Sequence, residues 1–442
     1  MGIWSQASEL AAATPADRNR YVDFLRAVSI GFVITGHWLI TTAHYDPATK
    51  SLNPMLALDV IPWTAWLTWV FQVMPIFFIV GGYSNAVSLE SARERHVGYT
   101  HWLTARLHRL LTPLLLLVVV WALIAFVLNF TGAAPETIRF LSRTALVPTW
   151  FLAIYTMIVL LAPATYALWQ RWGIASLAGY ILLAIFVDYA FFRLGWELLG
   201  WTNYFWVWLA MHHLGFAWRD GRLGKPAVLV AISGASLLAL MAMIFLGPYP
   251  VAMAGSPGEE VSNTRPPKIT LIALGLFQFG LLLSLEKPMQ RLLSGLRIWT
   301  LTVIVNTMIM TIYLWHMTIL LVVFACAYLS GGIGLTLEPG LAEWWWTRPL
   351  WLAILAILLV PVALVLSPLE RIARPAQAPV PAAWRLVAGA MMAGLGIALA
   401  TLLGFDGQLF SVTSTGTLAL VLVGALTCGL GLRFSSWRRR RR

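Results

Sequence analysis

Two residues of the first long apolar stretch have the chemistry of a proton acceptor and an anion partner. Arg26 and His37 stand eleven positions apart. At about 100° per residue that spacing is three helical turns plus about 20°. Both side chains therefore lie on one helix face, about 16 Å apart along the axis. An ionisable group inside a membrane span is expensive and calls for a reason. A neutral imidazole in a low-dielectric pocket is a suitable general base near neutral pH. A guanidinium balances developing negative charge or grips phosphate through its fork. Asp23, three residues before Arg26, can pair with it or cap the helix start. Taken singly, Arg26 also reads as a snorkelling headgroup contact, and His37 as a histidine satisfied by a neighbouring helix. Their shared face favours chemistry.

Other candidates follow along the chain. Arg106 and Arg109 lie one turn apart at the start of an apolar helix, spaced to hold phosphates or to mark a cytoplasmic end. His316 is a lone histidine in a late span, and Tyr313, one turn earlier, is placed to orient it. His212 and His213 are consecutive, so they point about 100° apart and cannot share one site. Asp188 and Glu197 bracket a helix end and read as interface residues. His44, seven residues beyond His37, is expected two turns further up the same side, where it would guide a second substrate. No Gly-x-Ser-x-Gly elbow supports a serine hydrolase. The two cysteines, Cys326 and Cys428, sit in apolar runs with no disulfide framework or metal-ligand spacing.

The elements that position these residues are membrane helices. Of 442 residues, 60% are hydrophobic and only 11% charged, and the mean hydropathy is +0.78. Soluble domains are about 25% charged. The 23 Trp residues suit membrane interfaces. A net charge of +12 would suggest nucleic acid in a soluble chain, but here the aromatics lie in apolar runs rather than beside basic patches. The N-terminus is polar and Ala-rich and does not read as a cleavable signal. Apolar stretches predict twelve spans, near residues 24–43, 66–89, 107–130, 147–169, 174–192, 202–218, 227–246, 269–285, 301–329, 350–366, 386–403 and 409–432. Pro75 predicts a kink in the second. With the N-terminus in the cytoplasm, 23 of the 30 Lys and Arg residues fall on that side, which predicts cytoplasmic termini; the expected location is the inner membrane. The expected fold is all-α, a polytopic bundle of about 10–12 transmembrane helices.

Tyr21-Val22-Asp23-Phe24-Leu25-Arg26, followed by Gly36-His37, resembles the first-helix signature of the acyltransferase 3 family, with that family's Arg and His falling on Arg26 and His37. Further pieces follow in the same order. Phe77-Phe78-Ile79-Val80-Gly81-Gly82 resembles its Phe-Phe-x-x-Ser-Gly stretch, with Gly81 where Ser is usual. Arg106-x-x-Arg109 with Pro113 resembles its Arg-rich third-helix start. Trp150-Phe151-Leu152 resembles its Trp-Phe-Leu patch, and Tyr313-Leu314-Trp315-His316 its late Tyr-Leu-x-His element. The stretch from Asn263 through Pro266 and Pro267 is also similar to family sequence. The resemblance covers residues 20–366.

The resemblance implies a membrane-embedded enzyme that transfers acyl groups, usually to sugars. The expected reaction moves a short acyl group from acyl-CoA, a co-substrate rather than a bound cofactor, to a hydroxyl of a carbohydrate, cell-envelope glycan or glycolipid. His37 and Arg26 are the expected catalytic residues. Arg106, Arg109, Trp150, Tyr313 and His316 are the expected substrate contacts. No metal or prosthetic group is implied, and no nucleic-acid partner. The expected divisions are a cytoplasmic segment (1–20), the acyltransferase-like domain (21–368), two added helices (369–432) and a basic tail (433–442). Twelve spans also suit a secondary transporter, but no repeated half or paired interrupted helix is visible.

Overall fold

The computed structural model describes residues 3–15, 17–255, 259–370, 380–408 and 411–430. The chain is almost wholly helical. In order, the helices are α1 (Ile3–Ala12), α2 (Arg20–Ile40), α3 (Met74–Glu94), α4 (Tyr99–Phe130), α5 (Pro135–Leu146) and α6 (Thr149–Trp172). Then come α7 (Ile174–Leu194), α8 (Asn203–Arg219), α9 (Pro226–Leu246), α10 (Ile269–Ser284), α11 (Glu286–Leu293) and α12 (Leu296–Thr307). The last are α13 (Ile309–Leu329), α14 (Ala342–Glu370), α15 (Ala383–Leu403) and α16 (Thr417–Thr427). The all-α expectation needs one amendment. After α2, strands β1 (Thr41–Asp46) and β2 (Ser51–Leu56) form an antiparallel hairpin in which Thr41 faces Leu56 and Asp46 faces Ser51.

The protein is an integral membrane protein. Among the described residues, nine helical stretches are long and apolar enough to cross a membrane. A tenth arises if α10 and α11, bent by 54°, count as one. The expected bundle of about 10–12 helices is met at its lower end by these stretches. The stretch at 202–218 becomes α8, of 17 residues, and that at 409–432 becomes a helical segment at Val412–Thr427. At 1.5 Å per residue each is about 25 Å long, short of the ~30 Å hydrocarbon core. Hydropathy registered their apolar character but not the turns that cut them. The expected ninth span is divided at Met308 into α12 and α13. The basic tail at 433–442, with Arg371 and Arg374, lies outside the described residues.

The described residues form two compact units, Met1–Ser88 with Ala164–Leu364 and Leu89–Pro163 with Val365–Arg442. In the first, α13 is the most enclosed span, with 67% of its apolar window buried, against 22% for α9. The outward faces of α7 and α9 carry Leu182, Phe186, Leu238 and Phe245, all exposed. Such residues suit lipid as they would not suit water. Helix α3 crosses α8 at two glycines. A Cβ on Gly82 would lie 1.9 Å from the His212 carbonyl oxygen, and one on Gly215 2.1 Å from that of Ile79. Only bare backbones pass so closely.

The kink predicted from Pro75 is a full break at Gln72–Val73, just before α3. A break at membrane depth frees backbone carbonyls that must find donors inside the protein. Gln278 on α10 supplies them, its Nε2 donating to the Gln72 oxygen (3.0 Å) and the Trp69 oxygen (3.4 Å). Gln72 Nε2 in turn donates to the Met253 oxygen (2.6 Å), and Trp69 Nε1 to that of Val251 (2.8 Å). The loop at 247–268 is thereby tied to the broken span. Asn263 ties it further, donating to the carbonyls of Pro250 and Ala252 and accepting from the Thr270 hydroxyl.

The second unit holds α4, α5, the first part of α6, α15 and α16. Helices α15 and α16 meet through Gly389 and Gly424, where a Cβ on Gly389 would stand 2.6 Å from the Gly424 oxygen. Ser142 on α5 accepts from the Phe405 amide (2.8 Å), and Thr149 bonds Thr401 (2.7 Å). Asp406 accepts from the Gln408 amide and the hydroxyls of Ser411 and Ser414, with Arg139 3.6 Å away. Burial opposes its charge, but the hydroxyls of Ser414, Thr413 and Ser411 prevail and hold its carboxyl well below the usual carboxylate range.

Candidate active site

Helix α2 starts where Asn19 caps it, its side chain accepting from the Tyr21 amide. The helix runs unbroken through Arg26 and His37, so the shared face expected from their spacing exists. His37 lies one turn before the helix gives way to β1. There it meets α13. His37 Nδ1 is 2.8 Å from His316 Nε2, with the two rings within 10° of parallel.

The hydrogen-bond chain fixes both tautomers. His316 Nδ1 is 2.6 Å from the Tyr313 carbonyl oxygen. A carbonyl only accepts, so that nitrogen carries the hydrogen. The neutral His316 ring then has a bare Nε2, and His37 must donate to it from Nδ1. His37 is left with its lone pair on Nε2, which has no partner among the described residues. His316 is fully buried and His37 half-buried. Trp38 Nε1 donates to the His316 carbonyl (3.0 Å) and fixes the facing backbone. The arrangement is a proton acceptor with an oriented second imidazole behind it. The partner at Tyr313 is its backbone carbonyl, which any residue there would offer, rather than its side chain.

A second polar layer lies nearer the start of α2. Asp23 is buried and accepts from two arginines. Arg18 Nε and NH2 both reach Asp23 Oδ2 at 2.7 Å, and Arg26 NH1 reaches Oδ1 at 2.8 Å. Arg26 NH2 also donates to Ser84 Oγ on α3 (2.8 Å). Asn306, in the last turn of α12, donates to the Asp23 carbonyl (2.9 Å). Helix α2 and the α12–α13 pair thus run in the same direction, touching at Asp23–Asn306 and again at His37–His316. Arg18, Ser84 and Asn306 carried no sequence signal that singled them out. Arg18 lies before the helix start, and the other two are ordinary polar residues until the break at Met308 turns Asn306 inward.

The structure brings His37, His316 and Tyr313 together, and Arg26 shares the His37 helix. Arg106, Arg109 and Trp150 belong to the second unit. Arg106 and Arg109 sit in the second and third turns of α4, which begins at Tyr99, rather than at a helix start. Arg106 lies 5.8 Å from the Trp102 ring, and Trp150 meets Phe151 edge-on at 6.4 Å. His44 is not above His37 on a helix but on β1, opposite Asn53. The chain leaves helical geometry at Thr41, so the two-turn argument no longer applies. His212 and His213 diverge as expected, His212 to Asn85 (3.1 Å) and His213 to the Leu209 carbonyl (3.0 Å). Glu197 is exposed. Asp188, by contrast, is a buried hub. It accepts from Asn203 (2.9 Å), the Tyr249 hydroxyl (3.1 Å) and the Ile269 amide (2.8 Å). Close to Asp188, Lys268 is fully buried, its Nζ 3.5 Å from the Phe191 ring centre. Burial pushes its amine down to about 8, against the pull of Asp188.

Among the described residues no group of three or more His, Cys, Asp and Glu side chains is arranged to hold a metal ion. Compared with known proteins, residues 19–368 match the model of the acyltransferase 3 family, described as an acyltransferase domain. No curated protein and no solved structure matches.

Proposed function

We propose, from the premise that this chain belongs to the acyltransferase 3 family, that it moves a short acyl group from acyl-CoA to a hydroxyl of a carbohydrate, envelope glycan or glycolipid, with His37 as the base. The family makes the chain a transferase of acyl groups, and the transporter alternative falls with it. The observation that supports the finer reading is the His37–His316 contact, which leaves a lone pair on His37 Nε2.

In this reading the acceptor O–H gives its proton to His37 Nε2 as its oxygen attacks the thioester carbonyl. The imidazolium that forms keeps Nδ1–H on His316 Nε2, a charge-assisted bond that favours the proton's arrival. When the tetrahedral intermediate collapses, the C–S bond breaks. The CoA thiolate leaves and takes the proton from His37, which returns to its starting state. His316 touches no substrate atom; it positions His37. Arg26 lies about 16 Å along α2 from His37, and its role is with the donor's anionic end. The donor then enters from the cytoplasmic side of an inner membrane, where the N-terminus lies. Arg106, Arg109 and Trp150 are assigned to the substrates on their family motif positions alone.

The test is transfer from labelled acetyl-CoA to a membrane glycan fraction by wild type and His37→Ala, matched for folded protein. Loss of transfer in the variant alone is expected. Equal transfer by both would remove His37 from the mechanism.

A further inference from the structure

We propose that Arg18, Asp23 and Arg26 form a clamp for the donor's phosphates; this rests on acyl-CoA being the donor. Positively charged residues near a span's cytoplasmic end usually float among headgroups. These two are held differently. One buried carboxylate binds both guanidiniums, Arg18 through Nε and NH2 at 2.7 Å and Arg26 through NH1 at 2.8 Å. Both arginine side chains retain solvent access, 55% and 24%, whereas Asp23 retains 9%. Asp23 is thus buried and holds both guanidiniums; Arg26 NH2 is also held by Ser84 Oγ at 2.8 Å, while Arg18, the more exposed of the two, keeps NH1 without a partner among the described residues. The cluster carries one excess positive charge. Two oriented guanidiniums are a good fit to the paired oxygens of a phosphate or diphosphate.

Asn306 adds an independent observation. Its Nδ2 is used by the Asp23 and Thr302 carbonyls, but its buried Oδ1 has no partner among the described residues. A buried acceptor left unpaired is costly. An amide N–H is the donor it lacks. Phosphate-binding guanidiniums, then a free amide acceptor, then a base about 16 Å further along α2 follow the order of groups in acyl-CoA: phosphates, the amides of the pantetheine arm, and the thioester. Arg18 is therefore a specificity residue for a phosphate-bearing donor.

The experiment measures binding, so it reads out whether or not transfer is detected. CoA and pantetheine, which has the arm but no phosphate, are titrated calorimetrically into wild type, Arg18→Gln and Asp23→Asn in neutral-lipid nanodiscs. Arg18→Gln is expected to weaken CoA about tenfold or more, to leave pantetheine unchanged, and to flatten the salt dependence of CoA binding. Asp23→Asn is expected to weaken CoA too, although it adds positive charge to the site, because it releases both forks. The proposal is overturned if Arg18→Gln changes neither ligand, or both by one factor, or if Asp23→Asn tightens CoA. A short-chain anionic lipid is titrated in parallel into the same nanodiscs, and the proposal is also overturned if Arg18→Gln weakens that lipid but not CoA, which would assign the cluster to headgroups. Arg18-dependent CoA binding without any acyl transfer would keep the clamp and reject the enzymatic reading instead.

Discussion

Replacing His316 with Phe tests the logic of the dyad most directly. Phe fills a similar volume, so the fully buried site stays packed. What disappears is the acceptor for His37 Nδ1–H, at 2.8 Å in the wild type. A hydrogen bond to an ionised group is worth about 1.5–3 kcal/mol, and each 1.4 kcal/mol is tenfold in rate. The imidazolium forms only during reaction, so the loss falls on kcat: roughly 10- to 100-fold, with KM for acetyl-CoA little changed. His316→Gln places a side-chain carbonyl oxygen near the former Nε2 and still accepts from His37. It should recover most of the lost rate, whereas the shorter His316→Asn should not. The assay is acyl transfer under saturating and subsaturating acetyl-CoA, on variants that remain monodisperse in detergent. Phe with wild-type kcat would refute the relay. So would Phe and Gln falling by the same factor, since a merely structural role would not distinguish them.

Three further outcomes follow from the packing and the electrostatics. Lys268, with its amine pushed down to about 8 by burial, makes the folded chain shed a proton that the unfolded chain keeps up to about pH 10.4. Stability should therefore rise with pH between these values: the melting temperature of wild type should gain on Lys268→Met from pH 8 to 10, and a wild type that loses ground would contradict the argument. Gly82→Ala drives a methyl to 1.9 Å from the His212 oxygen and should cost at least about 1–3 kcal/mol in a denaturation series, whereas Gly31→Ala, with nothing within 4 Å of its Cβ, should be nearly neutral; equal effects would show that the crossing relaxes freely. Gln278→Leu leaves the Trp69 and Gln72 carbonyls without their donor and should lower stability by about 1–3 kcal/mol per unpaired group, a loss that Gln278→Glu, with no donor in its ionised form, should share.

The first helix could be read from the sequence because everything about it is local. Apolar run and the Arg26–His37 spacing both sit within one element, and one periodicity describes them; the cap is Asn19 rather than Asp23. The same local reasoning failed at His44, since nothing in a hydropathy profile signals the switch from helix to strand at Thr41. At 202–218 and 409–432 the described helices are shorter than the apolar stretches for a related reason: composition reports how apolar a stretch is, and turns decide how far a helix reaches. Pro75 correctly warned of a disturbance in the second span. The donors that satisfy the resulting break come from Gln278, some two hundred residues away, and only tertiary structure pairs them. His316 was visible as a lone intramembrane histidine. That it faces His37, and which nitrogen each ring leaves free, depends on the approach of α13 to α2. Arg18 and Asn306 were invisible for the same reason.

The loop at 247–268 has the length of a dispensable connection, yet its backbone is stitched to the broken second span by Trp69 and Gln72 and to itself by Asn263. The hairpin tip at 47–50 is short but exposed, and among the described residues its hydrogen bonds run only to Asp46 and Ser51 within the turn. Anyone choosing where to insert an epitope tag to map sidedness would favour the longer loop by size, and an insertion among its tied residues, 250–253 and 263, would unpick the break they seal. The shorter tip is the place where foreign sequence should leave the membrane domain whole.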